Sequence, residues 1–377
     1  MKIGIEVQRL FRRKKHGMEI VALEIIRQLQ NIDKTNDFIV FVKKDIDSDC
    51  LHESDNFKIE QTTPKAYPIW EQIILPKLAA KNNVDILHCT SNTAPLFCKT
   101  PLVITIHDII FLEKIEFSGS SYQTIGNLYR RFIVPRVAKN AKFIITVSEY
   151  ARQLLVQRLK IPENKIRVIH NGVSEVYKKI SPEDKIIAFR KTYNLPEKFL
   201  LHFSNTAPRK NTLGTLKAFV SFCNSCENPI PLVITNCSND YLLKLLGQIN
   251  SLDYKKHIIC LDYTPANELP YLYNAATIFI YPSFSEGFGM PVIEAMACGT
   301  PVITSNTTSL PEVSGDAAIL IDPYNYIEIG NKIIELLNNK ILYKEKQELG
   351  FTNSEQFSWR NAAQKTLSVY TELMNRV

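Results

Sequence analysis

The stretch Tyr281–Pro301, YPSFSEGFGMPVIEAMACGTP, combines the end of a strand, a loop and a complete helix. Residues 276–281 are apolar and rich in β-branched and aromatic side chains, the pattern of a strand buried in a parallel sheet. Pro291 suits the first position of a helix that we predict over residues 292–297, and Gly299 suits its C-terminal cap. The stretch therefore predicts a β-loop-α unit of an open α/β sheet.

Two carboxylates flank the predicted start of this helix. Glu286 lies in the loop and Glu294 in the first predicted helical turn. A helix start at the carboxyl edge of a parallel sheet binds phosphates, and a carboxylate beside phosphates accepts hydrogen bonds from sugar hydroxyls. The spacing allows Glu294 to hold a ribose and Glu286 to contact a transferred sugar. The structural alternative makes Glu294 a helix-capping carboxylate and Glu286 a solvated loop residue.

Residues 286–302, EGFGMPVIEAMACGTPV, resemble the Glu-x7-Glu signature of the family 4 retaining glycosyltransferases. The resemblance implies a GT-B type fold, in which two doubly wound, Rossmann-like parallel-sheet α/β domains face each other across a cleft. We accordingly predict an acceptor-side domain at 1–175 and a nucleotide-sugar-binding domain at 176–357. Residues 358–377 are predicted to form a helix that crosses back to the first domain.

Two adjacent cations, Arg209 and Lys210, follow the first predicted strand of the second domain. Arg209 can bind two oxygens of a diphosphate at once, and Lys210 adds a compact charge. Residues 208–211, PRKN, resemble the diphosphate motif of the same family, with Ala207 where a glutamate is common. Because these cations and the helix end can neutralise a leaving diphosphate, we expect no metal and no cofactor. A solvated turn is the alternative.

The first domain offers a strand that ends in His107 and Asp108. A histidine at the carboxyl end of a parallel strand points into the ligand crevice of such folds, although an isolated histidine is more often structural. The family resemblance favours a role in positioning the sugar. A glycine-containing loop after the first strand faces the donor phosphates or the acceptor in the family, and Gly17 is the candidate here, with His16 where a second glycine is common.

The predicted site comprises three groups. The predicted catalytic residues are His107, Glu286, Arg209 and Lys210, and Asp108 is predicted to bind the acceptor. The predicted donor-binding residues are Gly17, Asn205, Arg209, Lys210, Phe288, Gly289, Met290, Glu294, Thr308, Ser309 and Leu310. The last three belong to a polar loop whose N–H groups suit the diphosphate.

The formal net charge of +7 lies entirely in residues 1–175, since the remainder of the chain is balanced. A basic half suits an anionic membrane surface or a soluble anionic acceptor, or it is simply a solvated face. Arg12, Arg13, Lys14 and Lys15, with the helix predicted over residues 122–138, would make the membrane contact. The aromatic-basic motifs of nucleic-acid readers are absent from the sequence, so no nucleic-acid partner is expected.

The sequence shows neither a signal-peptide pattern at Met1 nor an uninterrupted apolar run of about 18 residues. Its eight cysteines are expected to be reduced thiols. We expect a cytoplasmic protein, with peripheral attachment to the inner face of the cytoplasmic membrane as one use of its basic half.

These observations predict a retaining hexosyltransferase that uses a nucleoside-diphosphate sugar. Its expected acceptor is a hydroxyl of a glycan or lipid-linked oligosaccharide in polysaccharide or O-antigen synthesis. Similarity to mannosyltransferases of surface-polysaccharide assembly makes GDP-mannose the first choice of donor. Two alternatives stay open: a retaining sugar phosphorylase of the same architecture, and a non-catalytic nucleotide-sugar-binding protein.

Overall fold

The computed structural model describes residues 1–64, 66–112 and 121–376, with side chains along the helix after residue 120 described from Ile125 onward. The chain divides into two compact units. Unit 1 is Met1–Gly172 together with the segment from Ser358 onward, and unit 2 is Val173–Phe357. The first division falls three residues before the predicted boundary after residue 175, and residues 358–376 lie with the first domain.

Unit 1 contains a seven-stranded parallel sheet in the order β3-β2-β1-β4-β5-β6-β7. The strands are β1 Lys2–Glu6, β2 Asp37–Lys43, β3 Phe57–Thr62, β4 Ile86–Cys89, β5 Leu102–Ile106, β6 Phe143–Thr146 and β7 Ile166–Val168. Their valine and isoleucine side chains are buried between helices on both faces, as expected for a parallel sheet. The edge strand β3 was not predicted from the sequence, because Lys58 and Glu60 interrupt its apolar pattern.

The helices of unit 1 are α1 Gly17–Ile32, α2 Tyr67–Ile69, α3 Leu75–Lys81, α4 Ser121–Asn140 and α5 Glu149–Leu159. A π-helical turn, Trp70–Ile74, joins α2 to α3. Ser148 caps the start of α5, since its hydroxyl accepts a hydrogen bond from the Ala151 N–H.

Unit 2 contains a six-stranded parallel sheet in the order β10-β9-β8-β11-β12-β13. The strands are β8 Leu200–Phe203, β9 Leu232–Thr235, β10 Ile258–Leu261, β11 Ile278–Tyr281, β12 Val302–Ser305 and β13 Ala318–Ile321. The helices are α6 Asp184–Thr192, α7 Thr212–Ser225, α8 Asn239–Gln248, α9 Leu269–Ala275, α10 Met290–Ala297, α11 Leu310–Ser314, α12 Tyr326–Asn338 and α13 Lys340–Glu355. The neighbouring β8 and β11 are consecutive in the sheet but not in the chain, which makes a topological switch point between them.

Two apolar cores cover the two faces of the second sheet. One core contains Leu201, Phe279 and Tyr281 with side chains of α6, α9 and α10. The other contains Leu200 and Ile280 with side chains of α7, α8 and α12. Successive side chains of a strand point to opposite faces of the sheet, so neighbouring strand residues enter different cores. Glu294 on α10 therefore lies on the opposite face of the sheet from α7.

The last helix, α14 Trp359–Met374, packs on α1 and β6 of unit 1. The Tyr370 hydroxyl lies 2.6 Å from Nδ1 of His88 on β4. Arg167, on β7, forms an ion pair of 2.5 Å with Glu372. These contacts attach the end of the chain to the sheet of the first domain.

Candidate active site

The loop between β11 and α10 is shaped by Gly289. Its φ of +109° lies in a region that residues with side chains rarely adopt, and a Cβ there would lie 2.7 Å from Cδ2 of Leu310. Helix α10 begins at Met290, two residues earlier than predicted, because Pro291 occupies its second position. The prediction that Glu294 lies in the first turn is therefore wrong: it is the fifth residue of the helix.

The two predicted diphosphate-binding cations meet the loop carboxylate directly. Nη1 of Arg209 donates to Oε2 of Glu286 at 2.9 Å, and Nζ of Lys210 donates to Oε1 at 2.7 Å. Burial alone would raise the pKa of Glu286, but the two cations outweigh it and hold the pKa below its ordinary value. Glu286 is therefore an ionised carboxylate shared by two cations.

Tyr281, the last residue of β11, completes this cluster. Its hydroxyl donates to Oε1 of Glu286 at 2.9 Å and accepts a hydrogen bond from Lys210. The Lys210 ammonium also lies 4.9 Å from the centre of the Tyr281 ring. Because Tyr281 is buried on a strand, it fixes both charged side chains relative to the sheet.

The polar loop over residues 305–309 supports the Glu286 loop. The Ser309 hydroxyl donates to the carbonyls of Glu286 and Phe288, and the Glu286 N–H donates to Oγ1 of Thr308 at 3.3 Å. Ser309 and Leu310 are fully buried. The side chains of these residues thus stabilise the loop conformation, and their predicted contact with donor phosphates remains a prediction for the backbone.

Glu294 is buried and accepts hydrogen bonds from two tyrosines. The Tyr273 hydroxyl lies 2.9 Å from Oε2, and the Tyr177 hydroxyl also donates to this carboxylate. Burial raises its pKa to about 7, because these hydrogen bonds only partly replace water. A ribose hydroxyl that donates to Glu294 would either replace Tyr273 or Tyr177 as a donor or bind the carboxylate beside them. Neither tyrosine was predicted from the sequence to contact Glu294.

The remaining predicted donor residues of unit 2 have local structural roles. Oδ1 of Asn205 accepts from the Ala207 N–H at 2.9 Å, which shapes the loop before the Pro208–Lys210 turn. The Phe288 ring packs edge-to-face on Phe357, with centroids 5.7 Å apart. Phe288 is therefore buried, whereas Met290 is half-buried at the start of α10.

His107 follows β5 directly, at the carboxyl edge of the first sheet. Its Nε2 donates to the Thr90 carbonyl at 2.9 Å, and its backbone N–H donates to Oδ1 of Asn92 at 2.7 Å. Burial lowers the pKa of His107 despite the Thr90 hydrogen bond, so the ring is neutral and protonated on Nε2. Nδ1 is then a hydrogen-bond acceptor. Oδ1 of the neighbouring Asp108 accepts from the Ile110 N–H at 3.2 Å.

Gly17 is the first residue of α1 and is exposed. A Cβ added there would meet no described atom within 4 Å, so packing does not require a glycine. The Glu19 side chain accepts from the His16 N–H at 2.9 Å, which closes a capping interaction at this helix start.

Unit 1 also contains a pair of buried carboxylates, Glu6 and Glu71, that were not predicted from the sequence. Oε1 of Glu6, at the end of β1, accepts from the Gln8 N–H at 2.8 Å and from Nε1 of Trp70 at 3.2 Å. Glu71, in the π-helical turn, accepts from the Tyr129 hydroxyl at 2.5 Å. Burial, with a smaller contribution from Glu71, raises the pKa of Glu6 to about 7. The strand-end rule that selects His107 also selects Glu6.

Two family models match most of the chain. The model described as "Glycosyltransferase Family 4" matches residues 16–176, and "Glycosyl transferases group 1" matches residues 184–351. The chain is 33% identical over 271 residues to O-antigen chain mannosyltransferase B of Escherichia coli, which covers 71% of this chain and 69% of that protein. The chain belongs to glycosyltransferase family 4. The family resemblance predicted from the Glu-x7-Glu and Pro-Arg-Lys-Asn segments is thereby confirmed.

Two further comparisons fix the extent of the likeness. The serotype-specific mannosyltransferase WbdA of Escherichia coli is 28% identical over 278 residues, and the match covers 72% of this chain but only 33% of WbdA. The crystal structure of Anabaena Alr3699/HepE in complex with UDP and glucose matches 98% of this chain and 99% of that one, with a TM-score of 0.76 and 20% identity. The predicted GT-B type of fold is confirmed, and this family 4 chain is a glycosyltransferase.

Proposed function

We propose that this glycosyltransferase transfers mannose from GDP-mannose, with retention of anomeric configuration and without a metal ion. The proposed acceptor is a hydroxyl of a glycan or lipid-linked oligosaccharide in polysaccharide or O-antigen synthesis. The choice of sugar is supported by the names of two relatives, one an O-antigen chain mannosyltransferase and the other a serotype-specific mannosyltransferase. The proposed location is the cytoplasm.

The Arg209–Glu286–Lys210 cluster is the observation that carries this proposal. A nucleoside diphosphate gains negative charge as its bond to the sugar breaks, and two cations held on a strand-end loop would stabilise that charge. Glu286 keeps the cations in place through bonds of 2.9 and 2.7 Å. Within unit 2, Arg209 and Lys210 would then bind the diphosphate, while Glu286 would position hydroxyls of the transferred sugar. For unit 1 we propose separately that the Nδ1 acceptor of His107 binds a sugar hydroxyl.

The test is transfer from GDP-mannose, UDP-glucose and other nucleotide sugars to a synthetic mannobiose acceptor, with and without EDTA. NMR of the new linkage gives its configuration, and an inverted product would overturn retention. Activity lost with EDTA and restored by manganese or magnesium would overturn metal independence. Phosphate-dependent release of a sugar 1-phosphate from a disaccharide would instead identify a phosphorylase.

Variants of the two cations connect this assay to the site. Arg209→Ala and Lys210→Ala should each lower turnover by about 10² to 10³-fold, comparable to the loss of an oxyanion donor. Lys244→Ala, which removes an exposed lysine of α8, is the matched control and should leave turnover unchanged. Normal turnover in both cation variants would contradict the assigned leaving-group site.

We also propose that unit 1 contacts an anionic membrane through one face of α4. Ile125, Leu128 and Phe132 lie on one face of the helix, and they are 67%, 53% and 53% exposed. The Arg136 guanidinium lies 3.7 Å from the centre of the Phe132 ring. Apolar side chains beside cations suit the interface of an anionic bilayer. Within the described residues, no helix is both long and apolar enough to span a bilayer.

Flotation with vesicles of phosphatidylglycerol and phosphatidylcholine tests this membrane contact. Binding should weaken with added salt and should fall in a Leu128→Ser/Phe132→Ser variant. The control is Leu243→Ser, which changes an exposed leucine of α8 in unit 2. If wild type ignores the anionic vesicles at low salt, the basic charge of residues 1–175 serves a soluble acceptor or only solvation.

A further inference from the structure

Unit 2 contains a pocket of about 370 Å³ on the sheet face that carries α7, α8 and α12. Pockets that bind small ligands measure roughly 300 to 1,000 Å³. Glu294 and its two tyrosines belong to the opposite face of the sheet. The pocket is therefore separate from the carboxylate that is predicted to hold the donor ribose.

Aromatic rings form much of the pocket wall. Phe284 and Tyr324 are stacked, with centroids 4.6 Å apart, and Tyr326 stands beside them with the Lys217 ammonium 5.6 Å from its ring centre. Tyr324 is 74% exposed and Tyr326 is 40% exposed. Tyrosines have large apolar faces, and such exposure in a concave site marks a surface on which a ligand can pack.

Polar groups complete the lining and indicate the chemistry of the ligand. Asn205 and Thr206 supply an amide and a hydroxyl group, and Lys217 supplies an ammonium. A pyranose ring presents C–H groups on one face and hydroxyls around its edge. Flat aromatic rings flanked by an amide, a hydroxyl and an ammonium match both of these surfaces, whereas a purely apolar ligand would match only the rings.

The pocket is also tied to the candidate active site through hydrogen bonds. The Phe284 N–H donates to the Arg209 carbonyl at 2.8 Å. The Asn211 side chain donates to the carbonyls of Pro282 and Pro323, at 2.9 and 2.8 Å, which joins the two loops that carry the aromatic rings. A ligand in the pocket is consequently held at a fixed position relative to Arg209 and Glu286.

We propose that this pocket binds a sugar of the acceptor glycan other than the one that receives the transferred hexose. Through this subsite the enzyme favours acceptors that are already several sugars long. The proposal rests on the proposed function, since it assumes a growing glycan as acceptor. It assigns Tyr324 and Tyr326 as the residues that determine the preference for acceptor length.

The experiment uses the full chain and two probes, linear α-linked mannotetraose and mannobiose. Saturation-transfer NMR measures their binding without donor, and steady-state kinetics measure KM for each as acceptor. Tyr324→Ala and Tyr326→Ala should weaken mannotetraose binding and raise its KM by at least fivefold. The kcat with mannobiose and the KM for the donor should not change. Tyr324→Phe, which keeps the ring, should behave like wild type.

Ile327→Ala is the matched control, because Ile327 follows Tyr326 on α12, is 54% exposed and does not line the pocket. Equal mannotetraose binding by wild type and the tyrosine variants, or none by wild type, would overturn the subsite. If the tyrosine variants raise the KM for the donor with both acceptors, the pocket belongs to the donor and the acceptor subsite is overturned as well. If no sugar is transferred but binding still depends on Tyr324, the proposed function fails and the glycan pocket stands.

Discussion

The Glu286 carboxylate lies 2.7 Å from the Lys210 ammonium, although the sequence places the two residues in separate motifs with different tasks. Arg209 binds the other oxygen of the same carboxylate. A donor diphosphate bound at these cations, as proposed, would share them with an internal anion. Glu286 would then lower the affinity of the cations for phosphate, and it would keep them in position when the diphosphate departs.

Glu286→Gln should separate these two effects. Removing the negative charge leaves the positive charges of Arg209 and Lys210 uncompensated, so the variant should bind a nucleoside diphosphate about tenfold more tightly, a change of 1.4 kcal/mol. Turnover should nevertheless fall, because an amide orients the cations and the sugar less well. Calorimetry with GDP and UDP measures the affinity, and Glu335→Gln at an exposed position of α12 is the control. Weaker binding by Glu286→Gln would show that the carboxylate organises the site more than it competes.

Tyr281→Phe should reduce turnover more than it reduces stability. The change deletes the hydroxyl that links Glu286 and Lys210 but keeps the buried ring. We expect about a tenfold loss of kcat and about 1 kcal/mol less free energy of unfolding. Tyr343→Phe is the matched control, because its hydroxyl donates to the Thr277 carbonyl away from this cluster. Equal loss of kcat in both variants would reduce the role of Tyr281 to general stability.

Glu6→Gln should stabilise the protein at alkaline pH. The folded-state pKa of Glu6, about 7, lies above its ordinary value of 4.5, so the folded state binds the proton more tightly than the unfolded state. The wild type then loses stability as pH rises from 4.5 through 7, by on the order of 1 to 3 kcal/mol, and an uncharged glutamine avoids this loss.

Urea unfolding at pH 5 and pH 8 measures the effect of Glu6→Gln. The free energies of unfolding of variant and wild type should differ little at pH 5, and at pH 8 the variant should have the larger value. Glu163→Gln, at an exposed position of the same unit, should show no such change with pH. A variant that is less stable at both pH values would mean that the Gln8 and Trp70 hydrogen bonds require the carboxylate.

Local patterns were enough to predict every parallel strand except β3, and the two-domain α/β class. A run such as residues 278–281 is apolar at every position because both faces of its sheet are covered, and that pattern is visible without coordinates. The edge strand β3 was missed because Lys58 and Glu60 break the apolar run. The start of α10 was misplaced because proline is tolerated throughout a first helical turn, so Pro291 alone does not fix the first residue.

The motif residues of the site were selected from the sequence, but their partners were not. No local pattern pairs Arg209 with Glu286, or Tyr177 with Glu294, because each pair is far apart in the chain and meets only when the strands align. Glu6 and Tyr281 could have been found by treating every polar residue at the end of a predicted strand as a candidate. Glu71 could not have been found in this way, because it lies in a π-helical turn that no sequence pattern indicated.

The pH dependence of donor binding should report on Glu294. Burial raises its pKa to about 7, so the carboxyl group is partly protonated at neutral pH, and only the ionised form can accept a ribose hydrogen bond at both oxygens. The KM for GDP-mannose, whose diphosphate does not titrate near neutrality, should therefore fall as pH rises from 6 to 8. Glu294→Gln should raise the KM and remove this pH dependence while it changes kcat little, because a ribose contact is the same in the ground and transition states. Steady-state kinetics at five pH values, with both proteins, decide the matter. A KM that is flat in wild type, or a Glu294→Gln variant whose kcat collapses, would show that Glu294 does not act through the ribose.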